Sequence, residues 1–333
     1  MILITGAAGY IGSHTAINFI NNGYDIVIFD NLETGHIEIV EELKKLGNAK
    51  FEQGDLRNIE DIDRVFEKYS IDAVIHFAAF ALVGESVENP AKYYRNNVYG
   101  TLNLLDSMVA HNVKNIVFSS TCATYGEPQY TPIDENHPQN PINPYGNSKL
   151  CIEYMLKDYD RAYGLKSIRL RYFNVAGCDE QSRVGEWHDI ETHLIPNILK
   201  STFGENKMFK IFGDDYETPD GTCIRDYVNV EDLAQAHRLA YLYLKETSTS
   251  DVFNLGTEQG DSVKQVFDTC EKVLQKKIPV KIVERRPGDP AKLYANANKA
   301  KSILKWEPKR TLEKSIKTAY DWEVKLNKIK VDK

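Results

Sequence analysis

Short apolar runs alternate with longer amphipathic segments through the first half of the chain. Runs rich in β-branched residues cover residues 2–5, 25–29, 73–77, 115–119 and 167–171, and each has a stretch of helical periodicity beside it. Parallel strands joined by crossover helices produce this alternation, because both faces of their sheet are covered. The pattern therefore predicts an α/β fold, in which a doubly wound parallel sheet has helices on both faces.

The pattern changes after about residue 174. Proline, glycine and aspartate separate short strands there, and the helical segments 231–245 and 263–276 have no regular strand partners in the sequence. We expect residues 1–173 to form the sheet domain and residues 174–333 to form mainly a smaller C-terminal α/β lobe. The chain is expected to cross between the two lobes several times.

The stretch LITGAAGYIGSH places Gly6, Gly9 and Gly12 between the first strand and a predicted helix over residues 10–22. In a strand, turn and helix unit the first glycine permits the tight turn, the second lets a pyrophosphate approach the backbone, and the third lets helix and strand pack closely. The helix N-terminus then offers N–H groups and a positive dipole to the anion. The spacing predicts a Rossmann dinucleotide site, with an ordinary glycine turn as the alternative.

Asp30 ends the second strand, about twenty residues beyond the glycines, where a carboxylate accepts hydrogen bonds from ribose hydroxyls. Its charge repels a 2′-phosphate, so NAD is predicted in preference to NADP. The alternative is an aspartate that only caps a loop. Other residues just past strands at the same edge join the predicted cofactor site: Asp55, Leu56, Phe77, Ala78 and Ala79.

Composition and charge argue against several other classes of protein. With 42% hydrophobic and 27% charged residues among 333, the chain can bury a core, and a net charge of −7 leaves no long basic stripe for nucleic acid. The five cysteines are scattered and form no C-x-x-C pair, so neither disulfides nor a zinc site are predicted and no metal is expected. The sequence has no apolar run of roughly 18 residues and no signal peptide, so we expect a cytoplasmic protein that does not span a membrane.

The stretch NPYGNSKL places Tyr145 and Lys149 at i and i+4 on one face of a helix that Asn143 caps and Pro144 begins. A tyrosine at its reference pKa of about 10 is a poor base at neutral pH. One positive charge about 4 Å away lowers that pKa by roughly three units at an effective dielectric near 20. Lys149, together with a nicotinamide cation, is therefore predicted to make Tyr145 a working acid and base; the alternative is a surface pair at chance spacing.

The strand before this helix, NIVFSSTCATYG, delivers Ser119 and Thr121 to the same edge of the sheet, where a hydroxyl can hold a reacting oxygen against Tyr145. The T-G-x-x-G-x-x-G start, the SST triplet and the Y-x-x-x-K spacing together resemble the extended short-chain dehydrogenase/reductase superfamily, and within it the nucleotide-sugar 4-epimerases. The resemblance extends over both lobes through the segments VGES, YYRNNVYGTLNLL, RYFNVAG, IFGDDYETPDGTCIRDYVNVEDLAQAH and RRPGDPA.

The resemblance implies a reaction and the residues for it. Members with this pattern invert carbon 4 of a UDP-hexose, as from UDP-galactose to UDP-glucose in galactose metabolism: bound NAD+ removes a hydride, Tyr145 takes the hydroxyl proton, and a transient 4-keto sugar turns over before the hydride returns. The implied catalytic residues are Tyr145, Lys149 and Thr121. The implied cofactor-binding residues, in addition to those already named, are Tyr10, Ile11, Asn31, Asn96, Ser119, Tyr145, Lys149 and Phe173.

The resemblance also implies a substrate site and a partner. The implied substrate-binding residues are Thr121, Tyr145, Asn174, His193, Phe212, Arg225, Arg286, Asp289 and Leu293. Arg225 and Arg286 match contacts to the diphosphate of a UDP-sugar, for which the fork of an arginine is suited, while a structural ion pair is the alternative for either one alone. Phe212 matches the uracil site and Asp289 the ribose site. A homodimer is implied, through the helices at about residues 91–111 and 146–163.

Four positions depart from the pattern of the better-known members. Thr121 replaces a serine, and Ala81 replaces a lysine beside the cofactor, so weaker retention of NAD is expected. His193 replaces a substrate-contacting asparagine, with a structural histidine as the alternative. Leu293 is smaller than the aromatic residue that closes the sugar pocket in some members, so UDP-N-acetylglucosamine is expected as a further substrate.

The same residues also bear on other activities of the superfamily. A nucleotide-sugar 4,6-dehydratase is disfavoured, because Cys122 and Ala123 stand where that enzyme has an Asp-Glu pair. A UDP-glucuronate epimerase or decarboxylase stays open, since it shares the oxidation step. A non-catalytic NAD-binding regulator is a minor alternative, because it has no need of Tyr145, Lys149 and both arginines.

Overall fold

The strands in the described part of the chain form one seven-stranded parallel sheet and three small sheets. The computed structural model describes residues 1–203, 208–286 and 288–331. The strands in chain order are β1 (Ile2–Thr5), β2 (Ile26–Asp30), β3 (Ala49–Gln53), β4 (Ala73–His76), β5 (Asn115–Thr121), β6 (Lys166–Tyr172), β7 (Asn174–Ala176), β8 (Phe209–Phe212), β9 (Ile224–Arg225), β10 (Tyr227–Asn229), β11 (Asp251–Leu255), β12 (Asp261–Ser262), β13 (Val280–Val283) and β14 (Lys292–Leu293).

Helices connect most of these strands. They are α1 (Tyr10–Asn21), α2 (Ile37–Leu46), α3 (Ile59–Lys68), α4 (Val83–Glu88), α5 (Pro90–Tyr93), α6 (Gly100–Ala110), α7 (Pro144–Tyr163), α8 (Leu194–Lys200), α9 (Val230–Thr247), α10 (Val263–Leu274) and α11 (Leu312–Val331). A π-helical turn at Tyr94–Tyr99 joins α5 to α6, a 3-10 turn at Cys122–Thr124 follows β5, and a second π-helical turn covers Ala300–Leu304. Within the described ranges, no helix combines the length and the apolar character needed to cross a membrane.

The main sheet has seven strands in the order β11-β6-β5-β4-β1-β2-β3, and every adjacent pair is parallel. The strand order reverses between β1 and β4, so the crossover connections leave in opposite directions from this point. The loops after the two strands separate there and open a crevice at the carboxyl ends of the sheet. The predicted fold class, a doubly wound parallel sheet of the Rossmann type, is confirmed.

Two strands of this sheet lie outside the five apolar runs of the sequence, although the placement of Asp55 just past a strand already implied the first of them. β3 has the polar sequence AKFEQ and is half-exposed, as suits an edge strand. β11 pairs in parallel with β6, and α9, which packs against α1, is the crossover helix that leads to it. The expectation that the helical segment 231–245 has no regular strand partner is therefore wrong, because its partner strand is short and joins the opposite edge of a sheet built from the first half of the chain.

The C-terminal half contains small sheets that pack around helices. β7 pairs with β10, β8 pairs with β13, and β9 lies between β12 and β14. Helices α8, α10 and α11 pack against one another. A single cluster of buried apolar side chains extends from Ile4 and Ile28 in the main sheet to Trp322 on α11, so the C-terminal elements share a core with the sheet.

A buried network of polar side chains joins α7 to the sheet. Arg171 on β6 donates from Nε to Oε1 of Glu153 on α7 at 2.8 Å, and neither side chain is more than 3% exposed. Ser120 on β5 donates to the same carboxylate at 2.6 Å. The Arg171 guanidinium also donates to the Tyr125 hydroxyl at 2.9 Å, which in turn donates to Asn254 on β11 at 2.7 Å. The network therefore connects three neighbouring strands with the helix that carries Tyr145.

Candidate active site

The turn between β1 and α1 brings the backbone into contact with the loop after β4. Gly6 has φ +73°, and a Cβ atom there would lie 2.7 Å from the backbone nitrogen of Ala78. A Cβ on Gly12 would lie 2.3 Å from the carbonyl oxygen of Gly6. A Cβ on Gly9 would meet only an ordinary contact at 3.4 Å, so this glycine is not required by the packing of the protein itself. It leaves the backbone of the turn open to a ligand, as the predicted pyrophosphate site requires.

The first turn of α1 faces the crevice without a side-chain cap. Gly9 is the N-cap residue and has no side chain with which to satisfy the N–H groups of the first turn. Such N–H groups and the helix dipole favour an anion. The Tyr10 hydroxyl donates to the carbonyl oxygen of Gly177 at 2.5 Å, which connects this turn to the chain that follows β7.

Asp30, Asn31 and Asp55 form the next part of the wall. The Asp30 carboxylate accepts hydrogen bonds from the backbone nitrogens of Ala8 and Leu32, at 3.0 and 2.9 Å, and burial raises the pKa of this carboxyl group. The Asn31 amide donates to Asp55 at 3.0 Å. A Cβ atom would clash within the glycine turn, and a buried carboxylate lies at the end of β2. Together these two features fit the nucleotide half of a dinucleotide.

One cavity of about 1610 Å³ occupies the crevice and extends over the C-terminal elements. Every residue that the sequence predicted for catalysis, cofactor or substrate lines it, from Gly6 at one end to Leu293 at the other. Pockets for a single drug-sized molecule are typically about 300–1,000 Å³, so this cavity has room for a dinucleotide and a second large ligand. The structure thus brings the predicted residues together, while their individual binding roles stay predictions.

Tyr145, Lys149 and Thr121 meet where β5 ends and α7 begins. Asn143 caps α7 by accepting a hydrogen bond from the nitrogen of Gly146 at 2.8 Å, and Pro144 is its first residue, as predicted. Lys149 is buried and donates from Nζ to the carbonyl oxygen of Ser119 at 2.9 Å. Thr121 and Tyr145 both line the cavity, and the Thr121 side chain lies near enough to the phenol to lower its pKa. The spacing of four residues along α7 therefore does place the phenol and the ammonium group beside the end of β5.

The predicted lowering of the Tyr145 pKa by Lys149 is not found among the protein groups. Burial raises the pKa of Tyr145 to about 12, and the nearby Thr121 side chain opposes this only in part. Burial also lowers the pKa of Lys149 to about 7, so the lysine carries only part of a charge at neutral pH. The expectation assumed a fully charged lysine beside a tyrosine with its reference pKa. It did not include the desolvation of both groups, which favours their neutral forms.

Arg225, Arg286 and Asp289 lie together at the far end of the cavity. Arg225 donates from Nη1 to the carbonyl oxygen of Pro290 at 2.8 Å, and its Nη2 lies 3.5 Å from Asp289. Arg286 is paired with the other oxygen of Asp289 at 2.9 Å, and its guanidinium lies 5.0 Å from the centre of the Phe212 ring. Both arginines thus have an ion-pair partner, which is the alternative that the sequence left open for each of them, and they still present their positive charge to the cavity.

His193 lies in a cluster that sequence reasoning did not identify. Its Nδ1 is 2.6 Å from Glu186 and 3.3 Å from Glu191, while Nδ1 of His188 is 3.4 Å from Glu186. Burial works to lower the pKa of His193, but the two carboxylates outweigh it and raise that pKa above its ordinary value. The sequence signal for this cluster is the close spacing of acidic residues and histidines in EWHDIETH. The segment has no helix or strand periodicity, so its sequence does not show which of these side chains meet.

Other residues of the site also escaped prediction. The Tyr172 hydroxyl shares a hydrogen bond with Ser119, and Tyr227 lines the cavity beside the arginines. Trp187 stacks on His36 with ring centres 3.8 Å apart. The Ser119–Tyr172 and His36–Trp187 contacts join residues that lie 53 or more positions apart along the chain, so no local pattern could have identified them.

The chain has close relatives along nearly its whole length. The family model described as GDP-mannose 4,6 dehydratase matches residues 3–319. A UDP-glucose 4-epimerase of Halalkalibacterium halodurans is 50% identical over 322 residues, which cover 96% of this chain and 95% of that protein. The crystal structure of UDP-glucose 4-epimerase from Brucella ovis in complex with NAD is 47% identical with a TM-score of 0.92, and covers 96% of this chain and 97% of that one. The structure of the UDP-Glc/GlcNAc 4-epimerase from Campylobacter jejuni is 43% identical with a TM-score of 0.86, and covers 97% and 99%.

The glycine turn provides a test with a matched control. We expect Gly12→Ala to weaken NAD binding at least about tenfold, roughly 1.4 kcal/mol, because the new methyl group displaces the backbone of Gly6. Gly84→Ala is the control, since Gly84 lines the same cavity and a Cβ there meets nothing within 4 Å. The measurement is calorimetric titration of each protein with NAD, after circular dichroism has shown that it is folded. Equal affinities of the two variants would contradict the steric role of Gly12.

Proposed function

The chain belongs to the UDP-glucose 4-epimerase family, and we propose that it inverts carbon 4 of UDP-hexoses, converting UDP-galactose to UDP-glucose in galactose metabolism. One observation carries the proposal: the glycine turn, the Tyr145 and Lys149 pair, and the two arginines Arg225 and Arg286 line one continuous cavity. Inverting a carbon that bears no acidic proton requires a redox cofactor, a proton acceptor and a binding site for the rest of the substrate. These three parts occur together here.

NAD fits the cofactor side of the cavity. The glycine turn and the start of α1 receive the pyrophosphate, and Asp30 accepts the ribose hydroxyls. Asn96 lies beside the crevice, with its amide donating to Asn97 at 3.0 Å, and Phe173 is buried at the end of β6 where the nicotinamide is expected. When bound, NAD+ accepts a hydride from carbon 4 of the sugar and returns it to the opposite face of the 4-keto intermediate.

The chain itself moves the proton. Tyr145 takes the proton of the 4-hydroxyl group as carbon 4 becomes planar, and gives it back when the carbon is reduced. Thr121, which lines the same part of the cavity, offers a hydroxyl group that can hold the reacting oxygen near the phenol. The pKa of Tyr145 has to fall from about 12 for this step, and positive charge is what lowers it: a protonated Lys149 and a cationic nicotinamide both act in that direction.

The substrate side binds the UDP part through charge and stacking. Arg225 and Arg286 pair with the diphosphate, because their guanidinium groups retain donors that Asp289 does not occupy. Phe212, which is 39% exposed, offers a ring to the uracil, and Asp289 receives the ribose. Asn174 and His193 complete the phosphate and sugar contacts. Residues 174–333 therefore supply most of the substrate site, and residues 1–173 most of the cofactor site.

Dehydration is a less suitable reaction for this site than epimerisation, even though the matching family model is described as a dehydratase. Eliminating water from the sugar needs an acid and a base next to Thr121, and the next two residues are Cys122 and Ala123. Burial raises the pKa of Cys122 to about 12, so its thiol stays protonated and is a poor acid. The keto sugar formed at this site therefore has only one productive course, which is reduction.

The first test of function is conversion of UDP-galactose. We expect the purified protein to convert it to UDP-glucose until both sugars coexist, as followed by the anomeric proton signals in NMR. Tyr145→Phe removes the proton acceptor and leaves the cavity intact, so its turnover should fall by roughly 10²–10⁴-fold while NAD stays bound.

The matched control is Tyr163→Phe, which removes the same oxygen from the exposed C-terminal end of the same helix and should leave turnover unchanged. Full activity of Tyr145→Phe would contradict its role as acid and base. If wild-type protein supplied with NAD leaves UDP-galactose unchanged but turns over UDP-glucuronate, the alternative activity on a carboxylated sugar replaces the present proposal.

Leu293 sets the size of the sugar pocket in this proposal, and we extend the substrates to N-acetylated UDP-hexoses. Leu293 on β14 lies opposite Arg225 on β9 and packs against the buried group of Cys122, Tyr125 and Phe173. The relative from Campylobacter jejuni is described as a Glc/GlcNAc epimerase, which agrees with such a pocket in this family. A leucine leaves more space at this place than an aromatic ring.

We expect wild-type protein to interconvert UDP-N-acetylgalactosamine and UDP-N-acetylglucosamine. Leu293→Tyr should lower this activity by roughly 10–100-fold more than activity on UDP-galactose, because the ring occupies space that the acetyl group needs. Leu293→Met keeps the volume and should keep both activities. A wild-type protein that is active on UDP-galactose and inactive on the N-acetylated sugar would refute this extension.

We propose that the protein is a homodimer in solution, while its cytoplasmic location stays a prediction of the sequence. The π-helical turn and α6 pack against α7, and exposed aromatic side chains lie on both elements: Tyr94 and Tyr99 on the turn and Tyr154 on α7. Two helices from each subunit would bury these rings in a four-helix bundle, which covers apolar area that is otherwise in water.

Sedimentation equilibrium tests the dimer. We expect the wild-type protein to sediment as a dimer and Tyr99→Glu to weaken association at least about tenfold, since it places a charge in an apolar interface. Tyr130→Glu is the control, because Tyr130 is similarly exposed but lies outside both helices. A monomeric wild-type protein, or equal effects of the two substitutions, would oppose this arrangement.

A further inference from the structure

Four potential metal ligands converge just before α8. Glu186, His188, Glu191 and His193 each contribute one oxygen or nitrogen atom, and the four atoms all lie within 4.8 Å of one another. They follow each other in the sequence EWHDIETH, in a stretch of irregular backbone between β7 and α8. His193 is the N-cap residue of α8 and does not cap it with its side chain.

The separations between these atoms suit ligands of one small cation. Oε1 of Glu186 is 2.6 Å from Nδ1 of His193 and 3.4 Å from Nδ1 of His188. Glu191 is 3.3 Å from His193 and 3.9 Å from His188. Ligands that bind Zn²⁺ at about 2.0–2.2 Å in a tetrahedron stand about 3.4 Å apart, so three of these separations are close to the required distance, while Glu186 and His193 have to move apart when an ion binds.

The carboxylate of Glu186 is the feature of this cluster that indicates a bound ligand. The residue is 4% exposed, and among the described residues its Oε1 atom has no hydrogen bond of acceptable geometry, although a ring nitrogen is 2.6 Å away. A buried carboxylate oxygen without a hydrogen bond is costly. This oxygen lies beside two imidazole nitrogens without a directed hydrogen bond, at the point where the four possible ligand atoms converge.

The surrounding groups hold the other ligands in place. The backbone nitrogen of His193 donates to Oε1 of Glu191 at 2.9 Å, and Nζ of Lys200 donates to Oε2 of the same residue at 3.1 Å. His188 packs edge-on against the ring of Tyr10, with ring centres 6.5 Å apart. Such contacts orient ligands before an ion arrives.

We propose that Glu186, His188, Glu191 and His193 form a binding site for one divalent transition-metal ion. Two imidazole nitrogens and two carboxylates favour Zn²⁺, Co²⁺, Ni²⁺ or Cu²⁺ over Mg²⁺ and Ca²⁺, which prefer all-oxygen sites. The ion replaces the protons that the carboxylates otherwise hold on the two rings, and its two charges balance those of Glu186 and Glu191. It ties the chain that packs on Tyr10 of the cofactor turn to the start of α8.

Titration of the enzyme with its nicotinamide cofactor bound tests the site. After treatment with EDTA and removal of the chelator, the protein is titrated with Co²⁺ by calorimetry. We expect saturable binding of one ion per chain in the micromolar range or below, weakened at least about 100-fold in Glu186→Gln and in His193→Gln. His111→Gln is the matched control and should bind as the wild type does, because His111 is a surface histidine with one carboxylate, Asp63, 3.4 Å away.

Absence of saturable binding, binding that survives both cluster substitutions, or an equal loss in His111→Gln would each overturn the site. Because a misfolded cluster variant would also lose affinity, the wild-type protein loaded with one equivalent of Cu²⁺ is examined by EPR as well. The site requires hyperfine coupling to two imidazole nitrogens, and coupling to none or to one contradicts it. This test is independent of turnover, so its failure leaves the proposed epimerase activity unaffected.

Discussion

The guanidinium of Arg171 and the carboxylate of Glu153 face each other with almost no access to water, and helix α7 is held to the sheet through them. Removing one partner of such a pair leaves an uncompensated buried charge and costs roughly 3–5 kcal/mol. The complete pair contributes little net free energy to folding, because both charges lose their water. Its main effect is on the geometry of the protein. It fixes the rotation and height of α7 over β5 and β6, and these decide where Tyr145 and Lys149 stand relative to Thr121.

The same network explains why the end of β5 can be a reaction site. Ser120 points down to Glu153, while Ser119 and Thr121, on either side of it, line the cavity. Alternation along a strand therefore gives one hydroxyl to the support and two to the site. Tyr125, in the segment that follows, returns to the network and connects it to Asn254 on the last strand of the sheet. The proposed catalytic groups at the surface of the cavity are thus supported by the buried hydrogen bonds beneath them.

Burial has opposite consequences for the two central ionisable groups. It raises the pKa of Tyr145 and lowers that of Lys149, so in the protein alone both groups favour their neutral forms. The chemistry needs the opposite condition, at least for the tyrosine. The charge that restores it has to come with the ligands, which means that the acid and base become effective only when cofactor is in place. At the other end of the cavity, Asp289 pairs with both Arg225 and Arg286, the two residues for which we propose contacts to the diphosphate.

Local patterns in the sequence determined the alternation of strands and helices, the glycine turn, the position of Asp30 and the start of α7, because each depends on residues within one turn or one strand. The motif resemblance extended this to the residues of the cavity. Only the tertiary structure decided that β11 completes the sheet beside β6, since its sequence DVFNL mixes polar and apolar residues and shows no apolar run like those of β1 and β2. It also decided that Glu153 meets Arg171, that Asp289 joins both arginines, and that Glu186 converges with His188 and His193. Such pairings depend on the distances between side chains and on which groups become buried. Neither can be determined from the local order of the residues.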